Sequence, residues 1–243
     1  RVMKRLGLIG SQTATSPIVY WQTIHQEARL QLGENNTADL LLHCANTARL
    51  RDSLQKKDWP CLTDCLVEAG RGLMLAGADC LVICGSALNP AGKDVRRVLG
   101  VPLIDLAHAM SFKVQDYRYR RIAVLGIRTE REHQMWREKF AASAILVPTP
   151  DDRRWLLERI DAVQQSGHDD HIACKIEAQR IVSTLRKAGA QAIILADHTL
   201  AHWIKPDESL LPLFDAEEVH AWIAALWALE SDRCQPAPPC VLP

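Results

Sequence analysis

Three segments from the first half of the chain return in the second half in the same order, and this internal duplication limits the folds open to it more than any other feature. Lys4-Arg5-Leu6-Gly7-Leu8-Ile9-Gly10 matches Arg120-Arg121-Ile122-Ala123-Val124-Leu125-Gly126. Ala76-Gly77-Ala78-Asp79-Cys80-Leu81-Val82-Ile83 matches Ala188-Gly189-Ala190-Gln191-Ala192-Ile193-Ile194-Leu195, and Val101-Pro102-Leu103-Ile104-Asp105 matches Leu211-Pro212-Leu213-Phe214-Asp215. The offsets are about 110 to 116 residues, so the expected organisation is an N-terminal half over 1–115, a C-terminal half over 116–230 and a proline-rich tail over 231–243. The C-terminal helix, Ala216–Leu229, is a candidate to pack back onto the first half.

In each copy a short, continuous apolar run ends in small or polar residues and leads into a helical pattern, as expected of a buried parallel strand feeding a helix. Candidate strands are Leu6–Ile9, Leu40–His43, Leu81–Ile83 and Leu103–Ile104, then Ile122–Leu125, Ile145–Val147, Ile193–Leu195 and Pro212–Phe214. Amphipathic stretches such as Cys61–Ala76 and Lys175–Ala188 lie between them. The fold class is therefore α/β, with two pseudo-symmetric, doubly wound parallel-sheet halves. Ligands of such sheets sit beyond the carboxyl ends of the strands, and the expected site is a cleft between the halves.

Charge excludes some functions. Lys+Arg and Asp+Glu are equal at 29 each, so no net field draws the chain to nucleic acid or to an anionic membrane. No apolar run approaches the ~20 residues of a membrane span, and the N-terminal stretch has no secretory h-region. These features predict a soluble, cytoplasmic protein with a small-molecule partner. The eight cysteines are scattered, which predicts reduced thiols. Cys61 and Cys65, one helical turn apart, read as packing residues before metal ligands. His168-Asp169-Asp170-His171 reads as a solvated helix start. No metal is expected.

Gly7-Leu8-Ile9-Gly10, Ala76-Gly77-Ala78-Asp79, Ala188-Gly189-Ala190 and Pro212-Leu213-Phe214-Asp215 with His220 resemble the landmarks of the aspartate/glutamate racemases, over about residues 4 to 229. The resemblance implies cofactor-independent inversion of an amino acid by two opposed groups, usually cysteines, one in each half: one removes the Cα proton while the other delivers one. It also implies a small carboxylate or amino-acid ligand and a homodimer.

The family carries its first cysteine in a motif like C-T-N-T-M-H or C-N-T-A-H and its second in G-C-T-E. This chain reads Cys84-Gly85-Ser86-Ala87-Leu88-Asn89 and Ala196-Asp197-His198-Thr199. Ungapped, the match puts Gly85 and Asp197 at the two catalytic positions; shifted by one residue, it puts Cys84 at the first. The chain thus resembles a divergent member of the family, one that lacks the two-thiol pattern.

Candidate catalytic residues are Cys84, Asp197 and His198. Asp197 reads either as an acid or base or as an N-cap, and Cys84 either as a thiolate beside a helix N-terminus or as a buried strand-end residue. His220 is open between structural and functional use. Candidate ligand-binding residues are Thr13, Ser16, Asn46, Gly85, Ser86, Ala87, Arg128, Thr129 and Thr199. The leading expectation is a racemase-like binder of a small amino or dicarboxylic acid. The alternatives are an enzyme with a single acid/base (decarboxylase, isomerase or lyase) and an asymmetric Cys84/Asp197 racemase. Gly85-Ser86 also resembles arylmalonate decarboxylases, which have a glycine at the first position but keep one thiol in the second half, where this chain has Asp197.

Overall fold

The computed structural model describes residues 3–10, 16–167, 170–230 and 241–242. They divide into two compact units, one built from the chain up to Phe112 together with the segment from Glu217 onward, the other from Lys113–Ala216.

The first unit holds a sheet in the order β2-β1-β3-β4-β9, formed by β1 (Leu6–Ile9), β2 (Leu40–His43), β3 (Cys80–Ile83), β4 (Leu103–Ile104) and β9 (Val241–Leu242). The first four are parallel, and β9 pairs antiparallel with β4. The expected tail over 231–243 is corrected at Val241 and Leu242, which form this strand; residues 231–240 lie outside those described. Helices α1 (Ser16–Leu32), α2 (Thr47–Lys56), α3 (Trp59–Leu75), α4 (Gly92–Leu99) and α5 (Leu106–Val114) connect the strands. The second unit repeats the plan with order β6-β5-β7-β8. Its strands are β5 (Arg121–Leu125), β6 (Ala144–Leu146), β7 (Ala192–Leu195) and β8 (Leu213–Asp215), all parallel, joined by α6 (Glu130–Lys139), α7 (Pro150–Ser166) and α8 (His171–Lys187). The last helix, α9 (Ala216–Leu229), follows β8 in sequence but packs on the first unit: Lys4 donates to the Ala228 carbonyl at 2.8 Å, and Ala221, Ile223, Ala224 and Trp227 join its core.

Strand alternation sorts the first core into two layers. Leu6, Leu8, Cys80, Val82 and Cys84 face α1 and α9; Ile9, Leu81 and Ile83 face α3. The sheet is covered on both sides, which is why its strands read as unbroken apolar runs. In the second unit Ala123, Leu125, Ile193 and Leu195 pack against Leu156, Ile160, Ala178 and Ile181 of α7 and α8.

The duplicated motifs have a structural reason. Asp79 accepts from the Arg5 amide at 2.6 Å, and its own amide donates to the Arg5 carbonyl at 2.8 Å. Gln191 takes the same place in the second unit, accepting from the Arg120 and Arg121 amides at 2.7 and 3.1 Å and donating to the Arg121 carbonyl at 2.9 Å. The turn before the third strand thus stitches the start of the first strand in each copy. Among the described residues no helix is long and apolar enough to cross a membrane.

Gly7 lies where α3 meets the sheet. A Cβ there would stand 2.9 Å from the Ala78 Cβ and 3.1 Å from the Leu73 Cβ, closer than carbon atoms pack. Gly7→Ala is expected to lower stability by about 1–3 kcal/mol through overpacking, read as a lower urea midpoint with an unchanged m-value.

Candidate functional site

The parallel ladders fix which residue emerges at each strand end. Cys84 donates its amide to the Ile9 carbonyl at 3.0 Å, one residue beyond the Ile9/Ile83 pair; Ala196 donates to the Leu125 carbonyl at 2.8 Å, one beyond Leu125/Leu195. Cys84 is therefore the counterpart of Ala196, and Gly85 the counterpart of Asp197.

Cys84 is fully buried among Tyr20, Ile24 and Ala221. Burial, with the carboxylate of Glu217 and the sulfur of Cys44 adding to it, pushes the thiol well above its ordinary range. Of the two readings of Cys84, the structure matches the buried strand-end residue: its side chain belongs to the core layer. Gly85 adopts φ 91° and ψ 135°, a region that side chains avoid, and Asn89 locks the turn. The Asn89 amide donates to the carbonyls of Ile83 and Gly85 at 2.9 and 2.8 Å, and its oxygen accepts from the Leu106 amide at 3.3 Å. Ser86 and Ala87 are buried in the short 3₁₀ helix that follows, Ser86–Ala91.

Below this turn runs a buried relay. The Gly85 amide points to the Tyr20 hydroxyl at 3.4 Å, and Tyr20 is 2.7 Å from Nδ1 of His220. His220 Nε2 is 2.9 Å from the Ile104 carbonyl. A carbonyl only accepts, so Nε2 carries the proton and Nδ1 accepts from Tyr20. His220 is thus structural, a brace for the turn. Ser16 donates to buried Glu217, so its hydroxyl proton is committed inside the unit. Asn46 is exposed and caps α2 by accepting from the Arg49 amide at 3.1 Å. Thr13 lies outside the described residues.

The second unit concentrates polar groups. Asp197, 9% exposed, accepts from the Thr199 amide at 3.0 Å and from Gln164 Nε2 at 3.3 and 3.1 Å through its two oxygens. The same Gln164 nitrogen reaches Thr199 Oγ1 at 3.2 Å. The cap expected at Asp197 is present. Thr129 caps α6, accepting from the Glu132 amide at 3.1 Å, while Glu132 accepts from the Arg128 amide at 2.8 Å. This is a variant of the capping box, with Thr129 as the cap.

Arg128 is the centre of charge. Its Nη1 donates to Asp161 at 2.8 Å, and Nη2 lies 3.5 Å from Asp197. Burial opposes the charged guanidinium, but Asp197, Asp161 and Glu132 more than offset it and hold its pKa above the usual arginine value. Its side chain is 15% exposed, yet Nε and Nη2 have no hydrogen-bond partner among the described residues. Such donors are costly to bury unless an acceptor meets them. In the same unit His198 Nδ1 is 2.7 Å from Asp215 at the end of β8, a strand paired with β7. Gln164, Asp161 and the role of Asp215 escaped sequence reasoning. The capping box was visible as Thr129-x-x-Glu132. Asp170 caps α8 through the Ala173 amide at 3.1 Å and His171 begins that helix, as a solvated helix start requires; His168 and Asp169 lie outside the described residues.

Residues 6–224 match the family model described as Asp/Glu/Hydantoin racemase. Among solved structures, an Asp/Glu racemase candidate from Yersinia pestis is 26% identical with a TM-score of 0.85, covering 94% of this chain and 100% of its own. An aspartate racemase homologue from Pyrococcus horikoshii OT3 is 21% identical with a TM-score of 0.80, over 94% and 100%. Arylmalonate decarboxylase shares the fold at 12% identity and a TM-score of 0.53, over 98% and 97%.

Burial pushes His220 down to about 4, against smaller opposing effects of the Ile104 carbonyl and Asp105. The unfolded chain, with an ordinary histidine near 6.5, takes up the proton first as pH falls. The stability this group contributes is thus complete above pH 6.5 and lost toward pH 4, by roughly 3 kcal/mol. Urea midpoints measured across that window are expected to fall, and His220→Gln is expected to flatten the dependence.

Proposed function

Because the chain belongs to the Asp/Glu/hydantoin racemase family, we propose that it binds a small amino or dicarboxylic acid without two-thiol racemisation. The observation that carries this reading is the pair of equivalent strand ends. One presents a glycine, which has no group to move a proton, in a backbone conformation that disfavours putting one back. The other presents a carboxylate already engaged by Gln164, Thr199 and Arg128. The family's reaction needs a base and an acid at these two places, and neither is a thiol here.

Ligand recognition rests on Arg128 and Asp197. Nε and Nη2 of the guanidinium lie side by side and suit a carboxylate gripped by two parallel hydrogen bonds. Asp197, next to them, offers negative charge to an ammonium. This combination favours an α-amino acid zwitterion over a simple dicarboxylate, since Asp161, Asp197 and Glu132 already surround the one arginine. At a ligand concentration 100 times its Kd, the wild-type protein is expected to gain about 2.7 kcal/mol of stability. Arg128→Met, which keeps the apolar stem, is expected to lose that response in thermal unfolding. An unchanged response in the variant contradicts this reading.

A second reading rests on His198 and Asp215. A carboxylate on Nδ1 holds the imidazole in the tautomer whose Nε2 accepts a proton. That geometry supports one-sided chemistry such as decarboxylation, isomerisation or elimination. In D₂O this reading expects exchange at Cα with retention of configuration. His198→Gln is expected to lower the rate by about 10²–10⁴, and Asp215→Asn to lower it less while changing its pH profile. No exchange above background in the wild type rejects this reading and leaves the binding one.

A further inference from the structure

Two sulfurs outside the strand-end residues form a site of their own. Cys61 and Cys65 lie one turn apart near the start of α3, so their side chains share one face of the helix, and burial pushes the Cys65 thiol above its ordinary value. Ser53 of α2 donates to the Cys61 sulfur at 3.4 Å. The positive charge of Arg49, also from α2, interacts electrostatically with both cysteines. Cys65 is 5% exposed and packs with the apolar layer over the sheet, as its place in the helical stripe predicts. Cys61 is half-buried, so the pair is open on one side.

The spacing decides what such a pair can do. Side chains at i and i+4 have Cβ atoms about 5–6 Å apart, whereas a disulfide needs about 3.5–4.5 Å. Joining the sulfurs directly therefore requires unwinding the turn that Asp58 caps through the Cys61 amide at 3.0 Å. An ion between them spans the wider gap without that distortion, as a tetrahedral ion with metal–sulfur bonds of about 2.3 Å does in thiolate sites. Arg49 offsets part of the charge that two thiolates would create, and the Ser53 hydroxyl stands beside Cys61 as an oxygen donor.

We propose that Cys61 and Cys65 form a dithiolate chelate for a thiophilic divalent ion of the zinc and cadmium class. Binding replaces the two thiol protons by two metal–sulfur bonds and releases both protons to solvent, with no change of oxidation state. Loading therefore rises with pH. The remaining coordination positions face the open side and are filled by solvent or by Ser53.

Cadmium alone is the probe, added to the reduced full chain carrying Cys234→Ser and Cys240→Ser, which removes the two tail thiols. The expected result is one ion per chain, an ultraviolet thiolate-to-cadmium charge-transfer band, and two protons released in weakly buffered titration. Cys61→Ser, at a half-exposed position, is expected to weaken binding about 100-fold, the scale lost when a two-point attachment becomes one-point. Cys65→Ala serves as the second removal, with circular dichroism confirming the fold. Cys44→Ser should leave the band unchanged. Full-strength binding with two protons released in Cys61→Ser overturns the proposal, as does the absence of the band in the parent protein.

Discussion

The hydrogen-bond register of two parallel ladders is the constraint from which the rest follows. Because β1 and β3 pair through Ile9/Ile83, and β5 and β7 through Leu125/Leu195, the chain emerges at equivalent points as Gly85 and Asp197. A slip of one residue would turn every side chain of the strand to the other face. Cys84 is held in the core for this reason: it shares a layer with Cys80 and Val82. The chemistry open to the protein is set by backbone pairing before any side chain is considered.

Around the two strand ends the units have diverged in kind. In the first, the loop is tied from below by neutral groups: Asn89 to two carbonyls, and Tyr20 and His220 in series to the Ile104 carbonyl. In the second, charge holds the loop, with Arg128 drawing Asp161 and Asp197 together and Glu132 closing the turn before α6. A guanidinium with three carboxylates about it is a rigid point, because removing one partner leaves the others buried and unbalanced. The same fold thus carries a glycine turn on a neutral brace and an aspartate on an ionic one.

Much of this was legible in the sequence. Leu6–Ile9 and Leu103–Ile104 were bounded correctly because strands covered on both faces leave unbroken apolar runs, and the half-exposed edge strand Leu40–His43 because its three leucines stand out from polar surroundings. The Asp197 cap was legible because Asp before a helical turn has a local partner, here the amide of Thr199. Gln164 and Asp161 were not, since they reach Asp197 and Arg128 from α7 across 33 residues and leave no periodic trace. Asp215 stood out as a landmark of the repeat, but its bond to His198 depends on β8 lying beside β7. Cys84 was left open between two readings because its proximity to a following helix in sequence says nothing about which face of the sheet its sulfur occupies. The local bonds of Ser16 to Glu217, and of Asn46 and Thr129 as caps, were not read either, although such side chains commonly satisfy nearby backbone or acid.

The central claim is that a strand end without a proton-bearing side chain cannot serve one face of a carbon centre. It is tested most directly by incubating the reduced protein with each enantiomer of a panel of amino acids, including aspartate and glutamate, and separating the enantiomers chromatographically over time. The account predicts that each enantiomer keeps its configuration, with protein and buffer samples indistinguishable. Interconversion at an enzymatic rate, on the order of 1 s⁻¹, and its loss on substitution of Asp197, would contradict it.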